Sequence, residues 1–116
     1  MNNKPKYHLF KNTQYALDGF LHAFKTENSF RLELLLALFI IPAIFLLDFE
    51  LWQKSVLFCT AFLVLIVELL NSAIENVVDL VTAEIHPLAK NAKDIGATAV
   101  MFSITLHVLC WVLFLF

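Results

Sequence analysis

Glu68, Asn71, Glu75 and Asp79 recur at intervals of three and four residues inside a stretch apolar enough to sit in lipid, reading ELLNSAIENVVD over positions 68–79. On a helix turning about 100° per residue they fall near 0°, 300°, 340° and 20°, one narrow polar stripe. A second polar group follows at positions 84–94, with Glu84, His86, Lys90, Lys93 and Asp94. Ionisable groups at membrane depth are costly, and they mark a site by default. A carboxylate at the bilayer interface can take a proton from the hydroxyl of a lipid whose tails stay in the membrane. A carboxylate further out can hold Mg²⁺, a hard cation that favours oxygen and shares itself with nucleotide phosphates. Lys90 and Lys93 can meet phosphate charge. Together these groups describe phosphoryl transfer from a soluble nucleotide to a membrane alcohol, which needs mainly positioning and charge neutralisation. A second reading of the same stripe is a non-catalytic one, polar glue or an ion path between helices of an oligomer.

The elements that must carry these residues follow from composition. The chain has 116 residues, 60% of them hydrophobic, with 12 Phe against 2 Gly and 3 Pro. A soluble domain of that size would lack the polar surface to stay dissolved, so the expectation is an all-α integral membrane protein forming a single domain over 1–116. The net charge of −2, with no basic block, excludes nucleic acid as a partner. Cys59 and Cys110 stand in separate apolar segments and read as packing or lipid-facing residues rather than a disulfide or metal site.

Four segments are expected. Residues 5–27 mix lysines with Leu9, Phe10, Leu17, Phe20, Leu21 and Phe24, the spacing of an amphipathic helix lying on a membrane surface. The apolar core of a signal peptide begins far earlier than the first apolar run here, so no such peptide is read. Spans are expected at about 29–48, 52–81 and 95–116. Pro42 should kink the first without breaking it. The second carries the polar stripe beyond the bilayer, and Trp52 suits a headgroup-level anchor. Residues 82–93 read as a polar loop in which Pro87 stops helix continuation. Helices this few would need sister copies to cover the stripe.

Seven basic residues (Lys4, Lys6, Lys11, Lys25, Arg31, Lys90, Lys93) fall on one side of these spans and Lys54 alone on the other. That places the N-terminus and the 82–94 segment in the cytoplasm. Glu68 then sits at headgroup depth, and Glu75, seven residues on, about 10 Å further into the cytosol at 1.5 Å per residue. Arg31 and Glu33, at the start of the first span, either touch substrate or snorkel and pair locally. Asp79 reads equally well as a solvated helix end. His86, before Pro87, reads as a loop residue rather than an acid or base.

The run ELLNSAIE at 68–75, followed by Val77-Val78-Asp79 and by Ala92-Lys93-Asp94-Ile95-Gly96, resembles the signature of the small prokaryotic diacylglycerol kinase family, and Glu27-Asn28-Ser29-Phe30-Arg31-Leu32-Glu33 resembles the start of that family's first span. The resemblance covers nearly the whole chain. It implies a homotrimer in the bacterial inner membrane, three spans plus a surface helix per subunit, with sites shared between subunits. It implies Mg-ATP as phosphoryl donor and diacylglycerol as acceptor, giving phosphatidic acid. The absence of a Gly-rich phosphate loop or a soluble-kinase signature agrees with it.

Carried across by position, the resemblance implies Glu68 as general base with Asn71 ordering it or the lipid hydroxyl, and Glu27 and Glu75 as metal carboxylates. Tyr15, Glu27, Glu75, Glu84, His86, Lys93 and Asp94 become ATP contacts, and Arg31, Glu33 and Glu68 lipid contacts. His8, also placed near ATP, stands where enterobacterial members carry arginine, and Leu80 replaces a basic residue of those members. A sister branch acts on undecaprenol and commonly shows histidine where this chain has Glu33, so Glu33 favours diacylglycerol, with undecaprenol the alternative lipid.

Overall fold

The computed structural model describes residues 8–116, and within them the chain is four helices joined by short connections: α1 (Leu9–Thr26), α2 (Asn28–Leu46), α3 (Leu51–Val81) and α4 (Pro87–Leu115). Positions 5–7 of the expected surface helix lie outside the described residues. Three of the four, α2, α3 and α4, are long and apolar enough to cross a membrane. Their large side chains are widely exposed, Leu38, Phe39, Leu46, Phe102 and Leu113 among them. Such an apolar exterior belongs in lipid, and the protein is a membrane protein.

α3 has 31 residues, about 46 Å at 1.5 Å per residue, so it outruns a hydrocarbon core of about 30 Å. α2 continues unbroken through Pro42. The turn after it is fixed at Glu50, whose backbone N–H donates to Gln53 Oε1 at 2.9 Å, while Trp52 Nε1 donates to Glu50 Oε2 at 2.8 Å. Phe49 and Trp52 close this end against Trp111 and Phe114 of α4 with edge-on ring contacts.

The far end of α3 differs from the expectation of a loop through residue 93. The connection ends at His86, and α4 begins at Pro87. Proline at the first helical position lacks only an N–H that would have no partner there, and its fixed φ suits the helix, so Pro87 starts this helix instead of stopping one. His86 completes the start: its Nδ1 accepts the Leu88 N–H at 3.1 Å, an N-cap of the usual kind. Lys90, Lys93 and Asp94 therefore stand on a rigid helix.

α4 packs along α3, and α2 packs on the other flank of α3. The buried residues of α3 are Leu57, Ala61, Val64, Glu68, Asn71 and Ser72, one face whose apolar half lies deep and whose polar half lies towards its C-terminal end. Glu68 and Asn71 of the polar stripe are thus covered within one chain, while Glu75 is half-buried and Asp79 exposed. Gly96 on α4 makes this cover possible. A Cβ at that position would overlap Asn71 Oδ1, so only glycine lets α4 come this close.

Candidate functional site

Glu27 holds the corner between α1 and α2, the one residue that is in neither helix (φ −109°, ψ 105°). Its N–H closes α1 on Ala23 O at 2.8 Å, and its carbonyl receives the Arg31 N–H at 3.2 Å. The Arg31 guanidinium reaches back to Phe24 O at 3.1 Å and Lys25 O at 3.0 Å and also donates to Asn28 Oδ1. A cation on the last carbonyls of a helix satisfies orphan acceptors and opposes the dipole. Arg31 thereby has a task at the corner, and it fixes the corner from which Glu27 projects. Phe30, 1% exposed, packs edge-on to Phe20 with centroids 5.6 Å apart and pins α1 to α2.

Glu27 shares a cavity of about 330 Å³ between α1 and α3 with Gly19, Ala23 and Thr26 on one wall and Ser72, Ala73 and Asn76 on the other. Glu68, 5% exposed, lies within the electrostatic field of both Glu27 and Glu75. Glu33 of α2 turns its carboxyl towards Glu68 at hydrogen-bonding range, yet Glu33 Oε2 is buried without a donor. Two carboxyl groups at that range share a proton, one donating to the other, and a hydroxyl arriving beside them can donate to the ionised one while its oxygen reacts. Asn71, about one turn along α3 from Glu68, reaches the outer carboxylate: its Nδ2 donates to Glu75 Oε1 at 3.3 Å, and its Oδ1 is buried and unpartnered beside Gly96.

One turn beyond Glu75 the ends of α3 and α4 enclose a second cavity, of about 550 Å³, lined by Asp79, Thr82, Glu84, His86, Lys90, Lys93 and Asp94. That volume lies in the range of small-ligand sites. Lys93 Nζ lies 2.7 Å from Asp79 Oδ1 and bridges the two helices, while Lys90 Nζ lies 2.6 Å from Asp94 Oδ2 along α4. Asp79 is therefore an ion-paired wall of the cavity rather than a bare helix end. Glu84, His86, Lys93 and Asp94 come together here. His8 and Tyr15 do not: both are exposed on or beside α1 and line neither cavity.

The donor set is all oxygen around Glu68, with no cluster of three metal-ligating side chains among the described residues. Carboxylates such as those of Glu27 and Glu75 are the donor type a magnesium ion takes when it completes its shell with phosphate oxygens and water. A caged transition metal does not fit.

Sequence reading passed over two residues. Gly96 appeared only as part of a motif, and its signal is the glycine itself within a span rich in larger side chains. His107 was not singled out at all. It is buried between α3 and α4, with Nδ1 2.8 Å from Thr60 Oγ1 and Nε2 accepting from Trp111 Nε1 at 2.9 Å. A lone histidine in an apolar span was its only mark.

Comparison with known proteins gives the family. Residues 14–115 match the family described as prokaryotic diacylglycerol kinase. A diacylglycerol kinase of Pseudomonas aeruginosa is 48% identical over 99 residues, covering 85% of this chain and 80% of the relative. That of Helicobacter pylori is 43% identical over 105 residues (89% and 80%), and that of Escherichia coli 36% over 107 residues (92% and 88%). The chain belongs to the prokaryotic diacylglycerol kinase family.

Proposed function

We propose that this protein transfers the γ-phosphoryl group of ATP to the free hydroxyl of diacylglycerol at the cytoplasmic face of the membrane, yielding phosphatidic acid and ADP. The observation that carries the reading is the approach of Glu33 to buried Glu68 at the polar end of the α3 face, with Asn71 one turn along and bonded to Glu75, two turns from Glu68. In this reading the lipid hydroxyl enters between Glu33 and Glu68. Glu68 takes its proton as the oxygen attacks the γ-phosphorus, and the bond from that phosphorus to the bridging oxygen of ADP breaks. Glu33 orients the hydroxyl, and Asn71 keeps Glu75 in register with Glu68. Glu27 and Glu75 would hold Mg²⁺, which when bound supplies positive charge to the transferring phosphate. The nucleotide occupies the cavity between the ends of α3 and α4, where Glu84, His86, Lys93 and Asp94 face it. Lys93 meets phosphate charge once it exchanges Asp79 for the nucleotide.

α1 lies on the membrane surface, with Leu17, Leu21 and Phe24 in the headgroup region, and the N-terminus faces the cytoplasm of a bacterial inner-membrane protein. The functional unit is a homotrimer. His8 and Tyr15 of α1 reach the nucleotide only if a neighbouring copy brings them to it. Glu33, rather than histidine, and relatives that are named for diacylglycerol support that lipid over undecaprenol. The test is transfer of labelled γ-phosphate from Mg-ATP to diacylglycerol and, separately, to undecaprenol, by purified protein in mixed micelles. Label in diacylglycerol that disappears with a chelator and in Glu68→Gln supports the reading. Label mainly in undecaprenol, or in neither lipid, rejects it.

A further inference from the structure

Beneath the Glu33–Glu68 pair an apolar groove runs into the membrane between α2, α3 and α4, with a volume of about 210 Å³. Glu33 marks its rim, Ala37, Ile40, Ala61 and Ile104 form its walls, and His107 lies at its deep end. Seven residues separate Glu33 from Ile40 on α2, about 10 Å of helix rise. The volume equals on the order of seven water-sized groups at about 30 Å³ each, room for a short run of methylenes. The groove opens to polar groups only at Glu33, so an occupant must be an apolar chain with a hydroxyl-bearing head.

His107 closes the deep end in an unusual way for a polar residue. Trp111 Nε1 can only donate, so His107 Nε2 accepts and its proton sits on Nδ1, which donates to Thr60 Oγ1 at 2.8 Å. The Thr60 hydroxyl in turn donates to Val56 O at 2.9 Å or Leu57 O at 3.1 Å. Both ring nitrogens are thus engaged away from the groove, and the imidazole offers it only carbon. A ring bonded on both edges cannot swing aside as a leucine could, so it forms a flat, fixed stop.

The geometry points to His107 as a ruler for the lipid: one acyl chain of the substrate lies in this groove, and the imidazole at its floor sets the chain length that fits. This inference rests on the proposed lipid kinase reading and extends it, because the groove continues directly from the carboxylates that would receive the hydroxyl.

The test is kcat/KM measured across a series of diacylglycerols from dihexanoyl to dioleoyl for the wild type, His107→Ala, Ala37→Phe and, as a control on the outer surface of α4, Leu109→Ala. Removing the stop shifts the preferred chain to longer lipids, and filling the wall shifts it to shorter ones. The preference changes about fourfold for each methylene admitted or excluded. Leu109→Ala keeps the wild-type profile. Ala37→Phe carries the test by itself should His107→Ala fail to fold. Profiles identical in wild type and Ala37→Phe, with phosphorylation intact, overturn the ruler and leave the kinase standing. Altered cross-linked oligomers with an unchanged profile also overturn it, placing a sister subunit in the groove. No phosphorylation of any acylglycerol by the wild type overturns both.

Discussion

The two ends of the α3–α4 seam treat buried polar groups in opposite ways. In the membrane interior Thr60, His107 and Trp111 satisfy one another completely, and every donor there has an acceptor. At the other end, Asn71 Oδ1 and Glu33 Oε2 are buried with no partner. An unsatisfied buried polar atom costs about 1–3 kcal/mol, so a fold keeps one only where something outside the chain is to fill it. The interior network is internally complete and serves structure. The incomplete end is the one left open for the reacting polar groups of a substrate.

If that distinction holds, the largest effect belongs to the incomplete end. Glu68→Gln keeps the size and burial of the side chain but removes the base, and phosphoryl transfer should fall by about 10²–10⁴-fold. The thermal midpoint in micelles and the cross-linked oligomer should match the wild type. A loss of assembly instead would mean that Glu68 is interhelical glue.

Gly96→Ala comes next and tests closeness rather than chemistry. The added methyl overlaps Asn71 Oδ1, so α4 must move away or Asn71 must leave Glu75. Overpacking of this kind costs about 1–3 kcal/mol. Activity should fall with stability, and the double variant Gly96→Ala/Asn71→Ala should regain the stability without the activity. Denaturant unfolding alongside phosphate transfer separates the two. Recovery of both would make Asn71 a spacer only.

How far the sequence disclosed these two ends follows from the range of the interactions. The stripe of Glu68, Asn71 and Glu75 was legible because its spacing is local to one helix, and the three apolar spans because hydropathy is local as well. Pro87 was misread because the same residue stops a helix from within and begins one at its first position, and only the His86 cap decides between them. Arg31 read equally as a substrate contact or a locally paired residue, and only the corner at Glu27 shows the carbonyls it serves. The seam was hidden for a plainer reason: Thr60 and His107 are 47 residues apart, and Asn71 meets Gly96 only after α4 has folded back on α3. No periodicity reports a contact across two helices.

The complete end gives a smaller effect of another kind. Thr60→Val removes the acceptor of His107 Nδ1 and leaves that N–H buried. Hydrogen bonds between helices in membranes are worth about 0.6 kcal/mol on average and up to about 1.7. The unfolding midpoint should drop accordingly while phosphate transfer to diacylglycerol persists. A variant that folds as stably as wild type but no longer turns over would assign the network to catalysis and dissolve the contrast between the two ends.

The smallest effect is expected at Lys90, and its reason is solvent. Lys90 and Asp94 form the shortest ion pair of the seam, Nζ to Oδ2 at 2.6 Å, yet both side chains are largely exposed and sit one turn apart on the same helix. Water and salt screen such a pair, and holding two long side chains together opposes the gain. Lys93 has a comparable ion pair, but its partner Asp79 belongs to the other helix, so this pair spans the cavity proposed for the nucleotide, whereas Lys90 and Asp94 line it from α4 alone. Lys90→Ala should therefore leave the unfolding midpoint and the KM for ATP near their wild-type values, whereas Lys93→Ala should raise that KM with the midpoint unmoved. Short distance would then be a poor guide to importance at this end of the molecule, and a bridge between the two helices a good one. A wild-type KM in both variants would remove the nucleotide from the cavity between α3 and α4.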